Sequence, residues 1–124
     1  MEFNNTQAIY LQIADYVCDK IQLNEWKEDE KIPSVRELAV LLEVNPNTVM
    51  RTFEHLQQQE IVYTKRGMGL FVAKNSAKKI AASRKLQFLN EELPVLFRKM
   101  SMLDIELAEL QARFDEYKKN KDNH

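Results

Sequence analysis

Glycine is nearly missing from this chain of 124 residues, with two in all. An all-β sandwich or barrel needs many tight turns, so this scarcity points to helices. The single cysteine, Cys18, excludes an intramolecular disulfide framework and a multi-cysteine zinc site. It suits a reducing compartment and reads as a part-buried small hydrophobe. No apolar run approaches the roughly 18 residues that a membrane helix requires. The opening Met1-Glu2-Phe3-Asn4-Asn5 has neither the basic nor the apolar region of a signal peptide. A cytoplasmic protein with no membrane partner is expected. An excess of one charge is lacking too. Lys+Arg is 18 and Asp+Glu is 19, a net charge of −1. Residues 1–75 carry 8 basic and 11 acidic side chains, a balance of −3, and the remainder comes to +2. Neither part is the strongly basic body of many nucleic-acid binders, so a DNA-binding reading rests on where the basic residues sit.

The equipment of an enzyme is also thin. The histidines are His55 and His124, and the second lies in a polar tail. No Ser or Cys stands in a nucleophile motif, and no glycine loop precedes a helix to cradle phosphate. The pair Glu91-Glu92 reads as a solvated helix face. No catalytic residue, metal or cofactor is expected.

What the chain does have is globular: 44% hydrophobic and 30% charged residues. Ile9, Ile13, Val17 and Ile21 recur every fourth residue, which predicts a helix over 7–22. A charged loop, 24–31, follows, with Trp26 plugging the core edge. Ser34 and Glu37 form a capping box, and Val35, Leu38, Ala39 and Leu42 give a helix over 35–42. Asn45 is a good N-cap and Pro46 suits the first helical position. Val49, Phe53 and Leu56 then mark the buried stripe of a helix over 46–59. Two β-prone runs, 61–64 and 70–73, flank Lys65-Arg66-Gly67-Met68-Gly69. Both glycines of the chain sit in this turn, so a hairpin with a basic tip is expected. From Ser76 the chain reads helical. Pro94 kinks or breaks the first long helix, Asp104 is a joint, and a last helix covers 106–119.

Three helices followed by a hairpin make a winged helix-turn-helix, here over 7–75. The outer face of the third helix offers Asn47 and Arg51, the side-chain types suited to bidentate reading of adenine and guanine edges. Asn45 and Thr48 at its start can serve phosphates, helped by the helix dipole. Arg36, in the first turn of the second helix, points where a phosphate strand would pass. Lys65 and Arg66 can reach a phosphate or the minor groove, and Gly67 lets the backbone come close.

These residues resemble a known family. Pro33-Ser34-Val35-Arg36-Glu37-Leu38-Ala39, Val44-Asn45-Pro46-Asn47-Thr48-Val49-Met50-Arg51 and Gly67-Met68-Gly69-Leu70-Phe71-Val72 are similar to the winged-helix domain of GntR-family bacterial transcription regulators. Ile9-Tyr10-Leu11-Gln12-Ile13-Ala14 and Glu25-Trp26 fit it too, as does, for its YtrA subfamily, the short helical C-terminus. The resemblance implies operator contacts by Arg36, Asn45, Asn47, Thr48, Arg51 and Gly67. Pro46 and Met50 stand where many relatives carry basic residues, which bears on base preference.

The part from 76 to 124 is too short for the effector domains of larger relatives. Its apolar residues exceed what one partner helix covers, so a C-terminal two-helix dimerisation region is expected. Leu89, Leu93, Leu96, Phe97, Met100, Leu107, Leu110 and Phe114 are its expected interface. A mainly α, homodimeric, DNA-binding regulator that represses at a pseudo-palindromic double-stranded operator is the expectation. A small-molecule effector, which the sequence does not identify, would bind between the winged helix and the long helix that follows it, or at the dimer seam. The alternative is a winged-helix module that binds protein rather than DNA.

Overall fold

The computed structural model describes residues 1–122; His124 lies outside them. The elements are α1 (Ile9–Gln22), α2 (Val35–Leu42), α3 (Pro46–Gln58), β1 (Val62–Lys65), β2 (Gly69–Val72), α4 (Ser76–Gln87), a π-helical turn (Phe88–Glu92), α5 (Leu93–Met102) and α6 (Leu107–Asp122). The chain divides into a unit over Met1–Ser83 and a second that begins at Arg84.

The first unit is a winged helix. Its core joins Ile13, Val17 and Ile21 of α1 to Leu38 and Leu42 of α2 and to Val49, Phe53 and Leu56 of α3. From Ile13 onward the four-residue apolar spacing of α1 is therefore a buried face, as is the i, i+4, i+7 stripe of α3, whereas Ile9, the first of the α1 series, is 45% exposed. Thr52, fully buried on α3, donates from Oγ1 to the Tyr10 carbonyl at 2.7 Å, which ties α3 to α1. Cys18 is buried in the same core, and Trp26 packs at its edge, edge-on to Tyr16.

The turn between α2 and α3 follows from its residues. Ser34 Oγ accepts from the Glu37 N–H, and the Glu37 carboxylate accepts from the Ser34 N–H. The Ser34 N–H, and after it the Ser34 hydroxyl, hold the Glu37 carboxyl below its ordinary pKa. At the far end of α2, Glu43 adopts a left-handed conformation, φ 57°. Asn45 then caps α3, its Oδ1 accepting from the Asn47 N–H at 2.8 Å, with Pro46 in the first turn. The scarcity of glycine has a cost here. Asn24, Glu43, Glu60, Asn75 and Asp104 all take positive φ at helix ends or joints where glycine is the usual choice.

Two expectations for this unit need correction. The hairpin pairs Val62 with Val72 and Lys65 with Gly69, so both strands lie one residue nearer the tip than expected. The segment 24–31 is not merely a charged loop. The Ile32 N–H donates to the Leu70 carbonyl, and Asp29 and Glu30 exchange bonds with Val72, so this stretch runs along β2 as a further edge. The unit also reaches beyond its expected limits. Buried Gln12 bonds the backbone of Asn4 and Gln7, and Ser76 and Ile80 are buried at its other end. Ser76 Oγ lies within hydrogen-bond distance of the Ile61 and Ala73 carbonyls.

In the second unit Pro94 acts as expected. It has no N–H to donate and its ring crowds the carbonyl four residues back. The chain answers with the π-helical turn just before it, where the Leu93 N–H bonds five residues back to Phe88. Asp104, φ 55°, is the joint into α6. That helix extends to Asp122, past the expected end at 119, through lysine-rich turns that suit a helix C-terminus. Among the described residues no helix is long and apolar enough to cross a membrane.

Replacing Glu43 by glycine should raise the stability of the protein by about 1 kcal/mol, because a side chain in the left-handed region is strained there. Urea unfolding of Glu43→Gly against the native protein checks this; an unchanged midpoint would refute the strain.

Candidate nucleic-acid interface

The burial of one stripe of α3 decides what its other side shows. With Val49, Thr52, Phe53 and Leu56 inside, Asn47, Met50, Arg51 and Glu54 are exposed. Asn47 and Arg51 lie one turn apart on this face. Together with Ala8, Ile9, Tyr10 and Thr48 they line a shallow groove of about 330 Å³. The Arg51 guanidinium stacks over the Tyr10 ring, its Cζ 3.9 Å from the ring centre. His55 is half-buried and meets the same ring edge-on at 6.0 Å.

The start of α3 is partly committed to structure. Asn45, itself exposed, uses its side-chain oxygen on the cap. Thr48 is half-buried, and its carbonyl accepts from Thr52. Arg36 is exposed at the second position of α2. Among the described residues Arg36, Arg51, Lys65 and Arg66 form no ion pair with a carboxylate.

The wing carries Lys65, Arg66 and Gly67 at an exposed tip. The Met68 N–H closes the turn on the Lys65 carbonyl at 2.9 Å. Gly67, φ 76°, takes the third position, which needs positive φ, and faces open space. Gly69 has φ 114°, and a Cβ there would stand 3.0 Å from Cε of the Lys31 side chain on the edge segment. Met68 protrudes into solvent.

Behind the tip, Tyr63 and Phe71 stack at 5.7 Å, and the Lys65 ammonium sits 4.7 Å from the Phe71 ring centre. The Tyr63 hydroxyl donates to Asp29 Oδ1 at 2.8 Å. That bond, with burial and the carboxylate's charge, pushes the phenol above its ordinary pKa. Gln57 of α3 donates to Thr64 Oγ1 of β1 at 2.8 Å and so ties the wing to the third helix. Tyr10, Asp29 and Tyr63 are the supporting residues that sequence reasoning missed. Each lies more than 30 positions from its partner, and nothing local marks the pairing.

The model of bacterial regulatory proteins of the gntR family matches residues 9–72. The chain belongs to the GntR family. It is 35% identical to the HTH-type transcriptional regulator YhcF of Bacillus subtilis over 88% of each chain. It is 33% identical to the HTH-type transcriptional repressor YtrA of the same organism, over 86% of this chain and 81% of that one. A GntR-family transcriptional regulator from Bacteroides thetaiotaomicron has the same fold, with a TM-score of 0.82 and 47% identity over 92% of this chain and 99% of that one. The DNA-binding domain of AraR, solved in complex with its operator, aligns with a TM-score of 0.54 and 26% identity, over 59% of this chain and 88% of that one. This GntR protein is therefore a DNA-binding transcriptional regulator and not an enzyme.

Gly67→Ala should cost the wing turn roughly 1–2 kcal/mol, since alanine tolerates this φ poorly. Gly67→Asn should cost less. Hydrogen exchange at the Met68 amide reads both; equal protection in the alanine variant would show that the turn does not need glycine.

Proposed function

We propose that this regulator is a homodimeric repressor that reads a pseudo-palindromic operator with α3 and the wing. The observation that carries the reading is the outer face of α3, where Asn47 and Arg51 stand exposed opposite a buried stripe. In a major groove Asn47 would pair with an adenine edge and Arg51 with a guanine edge. Arg36, Asn45 and Thr48 would hold phosphates, and Lys65 and Arg66, with Gly67 clearing the approach, would take the flanking backbone or minor groove. Repression is supported by the similarity to YtrA, which bears the name of a repressor.

The dimer is supported by the apolar surface of the second unit. Leu89 is 43% exposed, Phe97 52%, Leu107 69% and Phe114 54%. Leu93, Leu96 and Leu110 are half-buried. Soluble monomers rarely leave that much apolar surface in water, and a second copy would cover it. Met100 drops out of this proposed interface, because it is already buried within one chain. A two-fold dimer offers two copies of α3, so half-sites should repeat about one helical turn apart or a multiple.

Arg51→Ala should weaken specific operator binding by on the order of 1–3 kcal/mol and relax preference at one base pair. Lys65→Ala should weaken binding to all DNA and flatten its salt dependence. Fluorescence anisotropy against specific and scrambled duplexes separates the two. If Arg51→Ala leaves both affinity and preference intact, α3 is not the reader.

Sedimentation at micromolar concentration should return twice the 14.6 kDa chain mass. Leu96→Glu combined with Phe97→Lys should return the monomer. A native protein that sediments as a clean monomer would sink the two-half-site operator.

A further inference from the structure

Arg51 is held by an aromatic ring that belongs to another helix. Its Cζ lies 3.9 Å from the centre of the Tyr10 ring, the distance of a stacked pair. The ring, and the backbone that carries it, each have a further contact from α3. His55 meets it edge-on at 6.0 Å with an interplanar angle of 83°. Thr52, next to Arg51 in the chain, bonds the Tyr10 carbonyl at 2.7 Å from a fully buried position. The level of α1 against α3 is thereby locked where the stacking occurs.

We propose that Tyr10 is a specificity-determining positioning residue, which pre-orders the Arg51 guanidinium for base reading; this rests on the assignment of α3 as the reader. The geometry gives the reason. A guanidinium carries its N–H donors in its own plane. Stacking covers a face of that plane and leaves the donors at its edge open. A carboxylate partner would occupy those same donors, and among the described residues Arg51 has none. An arginine is a flexible side chain that loses its freedom when it docks on a guanine. A ring that restrains it beforehand lowers that loss, so Tyr10 acts on affinity and base choice without touching DNA.

The test uses the full chain and a duplex selected by it from a randomised pool. Tyr10→Leu and Tyr10→Met remove the ring, and Tyr10→Phe keeps it. Losing the stack should lower affinity for the selected duplex about two- to fivefold, the range of an exposed cation–π contact. Discrimination should narrow at the same base pair that Arg51→Ala relaxes, with binding to scrambled DNA unchanged. The loss should vanish when Arg51→Ala is already present, and Tyr10→Phe should restore native behaviour. Without DNA, nitrogen relaxation of Arg51 Nε should show an ordered side chain in the native and Tyr10→Phe proteins and a mobile one in the other two. Thermal unfolding checks the fold of each variant, and Tyr10→Met, with its adaptable bulk, stands in where Tyr10→Leu loosens α1.

A Tyr10→Leu or Tyr10→Met loss that persists in the Arg51→Ala background would make Tyr10 a packing residue and overturn the proposal. So would an Arg51 Nε that is mobile in the native protein. If Nε is ordered but Arg51→Ala reads the duplex as before, the assignment of α3 as reader fails, and the positioning role falls with it.

Discussion

The seating of α3 on α1 governs everything this regulator presents to its partner. A helix has a limited buried arc, and successive side chains turn by about 100°. Once Val49, Thr52, Phe53 and Leu56 fill the core, no freedom remains in which residues face out. A rotation of α3 by one residue would expose Phe53 and bury a charged neighbour. The Thr52 hydroxyl on the Tyr10 carbonyl sets the remaining degree of freedom, the slide of one helix along the other. The caps cooperate. Ser34, Glu37 and Asn45 satisfy helix-start N–H groups, and the left-handed Glu43 aims the chain from α2 into α3.

The wing is stiffened from the side that looked least structured. The acidic stretch before α2 lies along β2, and Asp29 bonds the phenol of Tyr63 on β1. This also resolves an apparent conflict in charge. The first 75 residues are net negative, yet several of their carboxylates are engaged in the fold. Glu37 caps α2, Glu25 pairs with Lys20, Glu28 accepts from the Asn75 N–H and Asp29 from Tyr63. The cations of the candidate interface are treated differently. Arg51 rests on Tyr10 and Lys65 on Phe71, contacts that order a cation without neutralising it. Net charge was a poor guide because it counts groups and ignores what each is bonded to.

Much was written locally in the sequence. The capping box at Ser34 and Glu37, Pro46 after Asn45, the α3 stripe and the paired glycines all act within a few positions, so they were legible as helix starts, a buried face and a hairpin. Pro94 announced a break for the same reason: its lost N–H and its ring act on the preceding turn. The extent of α6 and the one-residue shift of the hairpin were less legible, because helix ends and strand registers depend on competing bonds of similar strength.

Only the tertiary structure decided which residues support the outward-facing ones. Tyr10 beside Arg51, Asp29 beside Tyr63 and Lys31 beside Gly69 are brought together by chain packing across 30 or more positions. It also showed that Met100 is buried within its own chain while Phe97 and Phe114 remain exposed. Sequence periodicity places an apolar residue on a helix face. It does not say whether that face meets its own chain or water, because that depends on how elements distant in sequence pack around it.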